Sequence, residues 1–168
     1  MSMMQGLMAE FDHEASTTRK LLELIPDAKL SWKPHDKSFT LAQLSGHLAT
    51  IPEWGQAILA DDHFDLVKGA EAGQPPPPAT TAEVLQRFDS SIAQFRSTAE
   101  GVDEKGLMAP WQLRKGDEVL MEMPRVACAR SFIMNHIVHH RGQLTVYLRM
   151  LDVPLPSVYG PTADNPDF

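Results

Sequence analysis

At 168 residues, with 43% hydrophobic and 22% charged residues, the chain has the balance of a single globular domain, residues 1–168, rather than of a disordered segment. A net charge of −7 with no Lys/Arg-rich block excludes general nucleic-acid binding, which needs clustered cations to displace counterions from phosphates. No run approaches the roughly 18–20 apolar residues that span a bilayer, the start lacks the pattern of a signal peptide, and the one cysteine, Cys128, has no partner for an internal disulfide, so a cytoplasmic location away from membranes is expected.

Four helical segments follow one another. The first runs from about Met4 to Ile25, with Leu7, Phe11, Leu21, Leu22 and Ile25 at helical spacing and Pro26 as its stop. The second opens at Thr40, where Thr40 and Gln43 form a capping box, and continues to about Ala60; Pro52 inside it predicts a kink. Gly73-Gln74-Pro75-Pro76-Pro77-Pro78 then favours an extended polyproline strap. The third helix opens near Thr80 with a Thr-x-x-Glu box to Glu83 and carries a stripe of Val84, Phe88, Ile92, Phe95 and Val102. Trp111–Leu113 and Val119–Met123, flanking Lys115-Gly116-Asp117, read as a short β-hairpin. The fourth and longest helix follows Pro124 and ends near Leu151, and the proline-bearing tail from Pro154 is irregular. Four amphipathic helices hide their apolar arcs most simply as an all-α four-helix bundle, with the hairpin between the third and fourth helices.

The histidines carry the chemistry. At about 100° per residue, with His136 as reference, His140 lies about 40° away and Gln143 and Tyr147 about 20° away, beside an apolar arc of Ile133, Ile137, Leu144 and Leu148. Ser131, Val138, Thr145 and Arg149 fall on the far side. An i, i+4 pair presents two imidazoles one turn apart, a spacing that lets two nitrogens reach one metal. On the second helix His47 faces inward among Leu44, Leu48, Ile51 and Trp54. Three neutral histidines from two helices would leave a divalent ion an open position, the arrangement of a catalytic rather than a closed structural site. Spacing leaves the alternative open that these are hydrogen-bonded core histidines. His139 is the internal competitor of His140 and is read as a rim residue; His13, His35 and His63 are read as surface or loop residues. Gln143, pointing inward, is a candidate contact to a ligand or to substrate, Trp54 is read as a core tryptophan that also borders the pocket, and Cys128 as a small buried hydrophobe.

Two stretches resemble the DinB family. Trp32-Lys33-Pro34-His35-Asp36-Lys37-Ser38-Phe39-Thr40-Leu41, followed by Leu44-Ser45-Gly46-His47-Leu48, is similar to its second-helix signature. Asn135-His136-Ile137-Val138-His139-His140-Arg141-Gly142-Gln143-Leu144 with Tyr147 is similar to its fourth-helix signature, and Pro154–Pro161 to its C-terminal segment. The resemblance implies a DinB/YfiT-like four-helix bundle, commonly a homodimer, with a divalent metal held by three histidines that fall on His47, His136 and His140; it chooses His140 over His139. It also implies a metal-dependent S-transferase or isomerase using a low-molecular-weight thiol such as bacillithiol or mycothiol.

The leading expectation is a thiol S-transferase acting on a small molecule at a zinc, nickel or iron centre, with Trp54, His139, Gln143 and Tyr147 around the substrate and no general base assigned. The alternatives are a metal-dependent hydrolase, and a non-catalytic stress-response bundle whose metal staples two helices.

Overall fold

The computed structural model describes residues 2–73 and 75–166, so Gln74 of the expected strap lies outside the described residues. Helix α1 (Met3–Leu22) starts in a reciprocal capping box, in which Gln5 N–H donates to Ser2 Oγ and Ser2 N–H to Gln5 Oε1. It stops three residues before the expected Ile25, because the N–H groups of Leu24 and Ile25 tighten onto the carbonyls of Leu21 and Leu22.

The second helix is divided. Helix α2 (Leu41–Thr50) opens on the expected Thr40–Gln43 box, whose bonds are 2.8 and 3.1 Å. Pro52, lacking an N–H, turns Ile51–Glu53 into a 3-10 segment, and the chain resumes as α3 (Trp54–Leu59). Helix α4 (Leu66–Ala72) was not foreseen. Helix α5 (Thr81–Glu100) starts with Glu83 N–H donating to Thr80 Oγ1, but the Glu83 carboxylate accepts from Ala79 N–H rather than closing the box on Thr80. A short α6 (Glu104–Met108) follows.

The last helical stretch is not one α-helix either. Helix α7 (Arg125–Ala129) passes into a π segment at Arg130–Met134, where Asn135 N–H reaches back to the Arg130 carbonyl, before α8 (Asn135–Met150). Helices α1 and α2 each pack on both α5 and α8. The core between them holds Phe11, Leu44, Leu48, Phe88, Phe95, Ile137 and Leu144, all essentially without solvent exposure. Phe11 and Phe95 touch with ring centroids 4.3 Å apart, and each buried aromatic of this kind contributes about 2–3 kcal/mol. Gly55 makes the seam of α3 on α5 possible, since a Cβ there would lie 2.1 Å from Phe95 Cδ2.

The expected hairpin is present as β2 (Pro110–Lys115) and β3 (Glu118–Pro124), antiparallel with a bulge at Leu113/Arg114. It extends to a three-stranded sheet, because β1 (His63–Asp65) joins β2 in parallel; His63, read as a loop or surface residue, is an exposed strand residue paired with Gln112. The Asp65 carboxylate accepts from Val67 N–H at the start of α4 and from Gly116 N–H in the hairpin turn. The sheet is docked on the end of α3. Trp111 Nε1 donates to the Ala57 carbonyl at 2.7 Å, and the buried Arg125 guanidinium donates to the Ile58 carbonyl at 2.8 Å and to Asp62. No described helix is long and apolar enough to cross a membrane.

Candidate metal centre

His47 comes from α2, and His136 and His140 from consecutive turns of α8, which packs against α2. Their Nε2 atoms converge: His136 Nε2 lies 3.3 Å from that of His47 and 2.9 Å from that of His140. One donor nitrogen from each of the three lies within 4.8 Å of the others. A tetrahedral ion with metal–nitrogen bonds of about 2.0–2.1 Å sets its ligand nitrogens about 3.3–3.4 Å apart, so the two His136 distances fall within a few tenths of an ångström of that spacing, and the third pair lies within 4.8 Å. The donor set argues the same way. Without a cation His136 Nε2 can present either one proton or one lone pair to two neighbouring nitrogens, whereas a cation satisfies three lone pairs at once. Among the described residues these three histidines therefore form a group that could hold a divalent metal.

The outer nitrogens are directed as well. His140 Nδ1–H donates to Gln143 Oε1 at 2.7 Å, which leaves the His140 Nε2 lone pair facing the cluster. The Gln143 amide in turn meets His139 Nε2 at 3.2 Å. His139 is thus held outside the triangle, two hydrogen bonds from it, as the wheel suggested. The Phe132 backbone carbonyl faces the His136 ring and partly offsets the effect of burial on it. Burial holds all three histidines below the ordinary value of 6.5; for His47 burial and then the nearby His140 and His136 bring it down to about 4. Neutral rings with free lone pairs are therefore the resting state at pH 7.

Two clefts border the triangle. One of about 530 Å³ is lined by His47, Gln43, Thr50 and Arg87 under the strap Pro75–Pro78. The strap seats on α2 beside His47 because position 46 is glycine: a Cβ on Gly46 would lie 2.7 Å from Pro78 Cδ. The other, of about 500 Å³, lies between α8 and the sheet and is lined by His136, His139, Trp54, Trp111 and Phe132. Trp54 is not a core tryptophan, as the sequence reading favoured. The break at Pro52 places it at the start of α3, 38% exposed, edge-on to His136 at 6.2 Å and stacked on Phe64. Tyr147 lines neither cleft. Its hydroxyl donates to the Phe39 carbonyl at 3.0 Å and its ring meets Trp32 edge-to-face, so it pins the loop ahead of α2 rather than contacting the histidines.

The DinB family profile matches residues 1–167. The chain belongs to the DinB family. Its relative YrdA of Bacillus subtilis (strain 168), an uncharacterized protein, is 27% identical over 162 residues, 94% of this chain and 89% of YrdA. The crystal structure of a DinB-like protein from Bacillus cereus aligns at a TM-score of 0.71 and 22% identity, over 92% of this chain and 97% of that one. YfiT of Bacillus subtilis, described as a probable metal-dependent hydrolase with an unusual four-helix bundle topology, aligns at a TM-score of 0.53 and 14% identity, over 89% and 88% of the two chains. At these identities the structural likeness is one of fold.

Two features of this DinB-family site escaped the sequence reading. Arg141, next to His140, is almost completely buried: its guanidinium lies 2.6 Å from the Glu14 carboxylate and over the Tyr159 ring, while the Tyr159 hydroxyl donates to Glu14. The cluster ties α8 to α1 and the C-terminal segment at the level of the histidines. Its signal lay on the wheel, where Arg141 falls at about 140°, just past the apolar arc. Ser131, expected on the far side, lines the cleft with His136. The π segment is the reason, since one extra residue in a turn rotates everything upstream by about 100° relative to α8.

Proposed function

We propose that this protein is a metal-dependent enzyme that transfers a low-molecular-weight thiol to a small electrophile at the His47–His136–His140 centre. The convergence of three Nε2 atoms carries the reading, and three neutral imidazoles suit zinc, nickel or iron. A divalent ion bound there supplies a cationic centre that favours thiolate over thiol near neutral pH. The protein's own groups prepare the site. Burial keeps the three rings neutral, and the Gln143 carbonyl oxygen orients His140.

Among the described residues neither cleft lined by a histidine of the triangle has an Asp or Glu in its wall, which leaves His139 as the base available to water, and thiol transfer is favoured because it needs no base. Attack by water profits from a general base, usually a carboxylate or histidine, whereas a thiol ionises about seven units more readily than water and needs none. The description of YfiT supports hydrolysis as the second reading.

Metal analysis of protein purified without an affinity tag, followed by turnover assays of the metal-loaded protein with bacillithiol, mycothiol, glutathione and coenzyme A against model electrophiles, tests the proposal. His136→Ala should lose both metal and turnover, and His139→Ala should keep its metal. Turnover that survives His136→Ala, or no turnover with any thiol, refutes it. Ester hydrolysis in place of transfer selects the hydrolase; stabilisation by metal without any turnover selects the staple.

A further inference from the structure

The cleft between α8 and the sheet has a composition that the metal triangle does not require. Among its lining residues there is no Lys, Arg, Asp or Glu, although charged residues are 22% of the chain. Three of its walls are aromatic: Trp54, Trp111 and Phe132. Trp111 is fully buried and fixed by its bond to the Ala57 carbonyl, so this wall is rigid. Trp54 is the opposite. It leaves more than a third of its surface in solvent, yet it is held upright by stacking on Phe64 at 6.0 Å and 19°. Phe64 can lie flat there because Gly69 of α4 has no side chain: a Cβ would stand 2.5 Å from Phe64 Cζ. Leu66, 40% exposed, continues the apolar lip. Ser131 and Asn135 bring a hydroxyl and an amide to the α8 side, both on exposed residues.

A preformed cleft of about 500 Å³ with aromatic faces, no Lys, Arg, Asp or Glu, and the polar side chains of Ser131, Asn135, His136 and His139 along its α8 side is the pattern of a small-molecule site. With the triangle empty, a charged ligand entering the cleft would lose hydration without gaining a counter-charge. An uncharged aromatic ring loses little and gains stacking area on Trp54. His136 stands in the same wall, edge-on to Trp54, so a ring in the cleft lies beside the proposed metal.

We infer that this cleft is the binding site for the electrophilic substrate and that the substrate is an uncharged, aromatic small molecule. The identity of the site as the electrophile's rests on the thiol-transfer reading above; the preference for an uncharged aromatic ring rests on the cleft alone.

Naphthol serves as an unreactive probe, with naphthalene sulfonate as its charged counterpart and cyclohexanol as its non-aromatic one. Binding to chelator-treated protein is followed by tryptophan fluorescence and by chemical shifts, and zinc binding to the same preparation is titrated separately. Saturable one-to-one binding of naphthol, at least tenfold tighter than that of either counterpart, is expected. Trp54→Ala should weaken it about tenfold and Trp54→Phe only a few-fold. Leu66→Glu, at an exposed position that folding tolerates, should abolish it by placing a charge on the lip. No saturable naphthol binding, binding unchanged in Trp54→Ala and Leu66→Glu, or equal affinity for the sulfonate overturns the inference. Zinc binding lost while naphthol binding persists would instead defeat the metal reading and leave the cleft standing.

Discussion

Replacing Gln143 by leucine isolates one hydrogen bond of the proposed centre. Gln143 is exposed, so the substitution removes no core contact, and its only tie to the triangle is the 2.7 Å bond from His140 Nδ1–H. A hydrogen bond of this kind is worth about 0.5–1.5 kcal/mol net, which at about 1.4 kcal/mol per factor of ten corresponds to roughly a 2- to 12-fold change in an equilibrium constant. The bond also selects the tautomer and fixes the ring, and loss of such a partner typically costs about 10–100-fold in metal affinity. Gln143→Leu is therefore expected to weaken zinc binding by about 10- to 50-fold while shifting the urea midpoint of the metal-free protein little. Competition against a chromophoric chelator measures the first and chemical denaturation the second. Gln143→Glu, with a carboxylate at the same reach, should bind zinc at least as tightly as the parent. Zinc affinity within twofold of the parent in Gln143→Leu would show that His140 does not offer its Nε2 to a metal in the way described.

Two further outcomes follow from buried charge. In chelator-treated protein, folded His47 takes up its proton only near pH 4 whereas the unfolded chain does so near 6.5, and His136 and His140 are shifted in the same direction. The unfolded state therefore binds more protons as pH falls, so stability should be level above about pH 6.5 and decline as pH drops from there to about 4; a urea midpoint that rises as pH is lowered through that interval contradicts it. Arg141→Leu should cost about 3–5 kcal/mol by stranding Glu14 in the buried pair, and adding Glu14→Leu should recover much of that loss; single and double variants that denature alike would refute a coupled pair.

Much of this protein is legible without coordinates because it depends on short-range rules. The capped start at Thr40, the stripe from Val84 to Phe95, the turn at Lys115–Asp117 and the one-turn spacing of His136 and His140 all follow from backbone geometry and local hydrogen bonding. The inward direction of His47 follows from the same periodicity. What periodicity assumes is an unbroken helix, and it fails where the helix is interrupted. Pro52 redirects Trp54 from the core to the cleft, and the π segment at Arg130–Met134 turns Ser131 toward His136. Pairings between residues far apart in the chain were likewise beyond reach: Phe64 beneath Trp54, Pro78 against Gly46, and Glu14 with Arg141 depend on how distant elements pack. The kinds of side chain at the centre are thus written locally, whereas the shape and polarity of the space around them are set by long-range packing, where a rotation of about 100° decides which groups face a ligand.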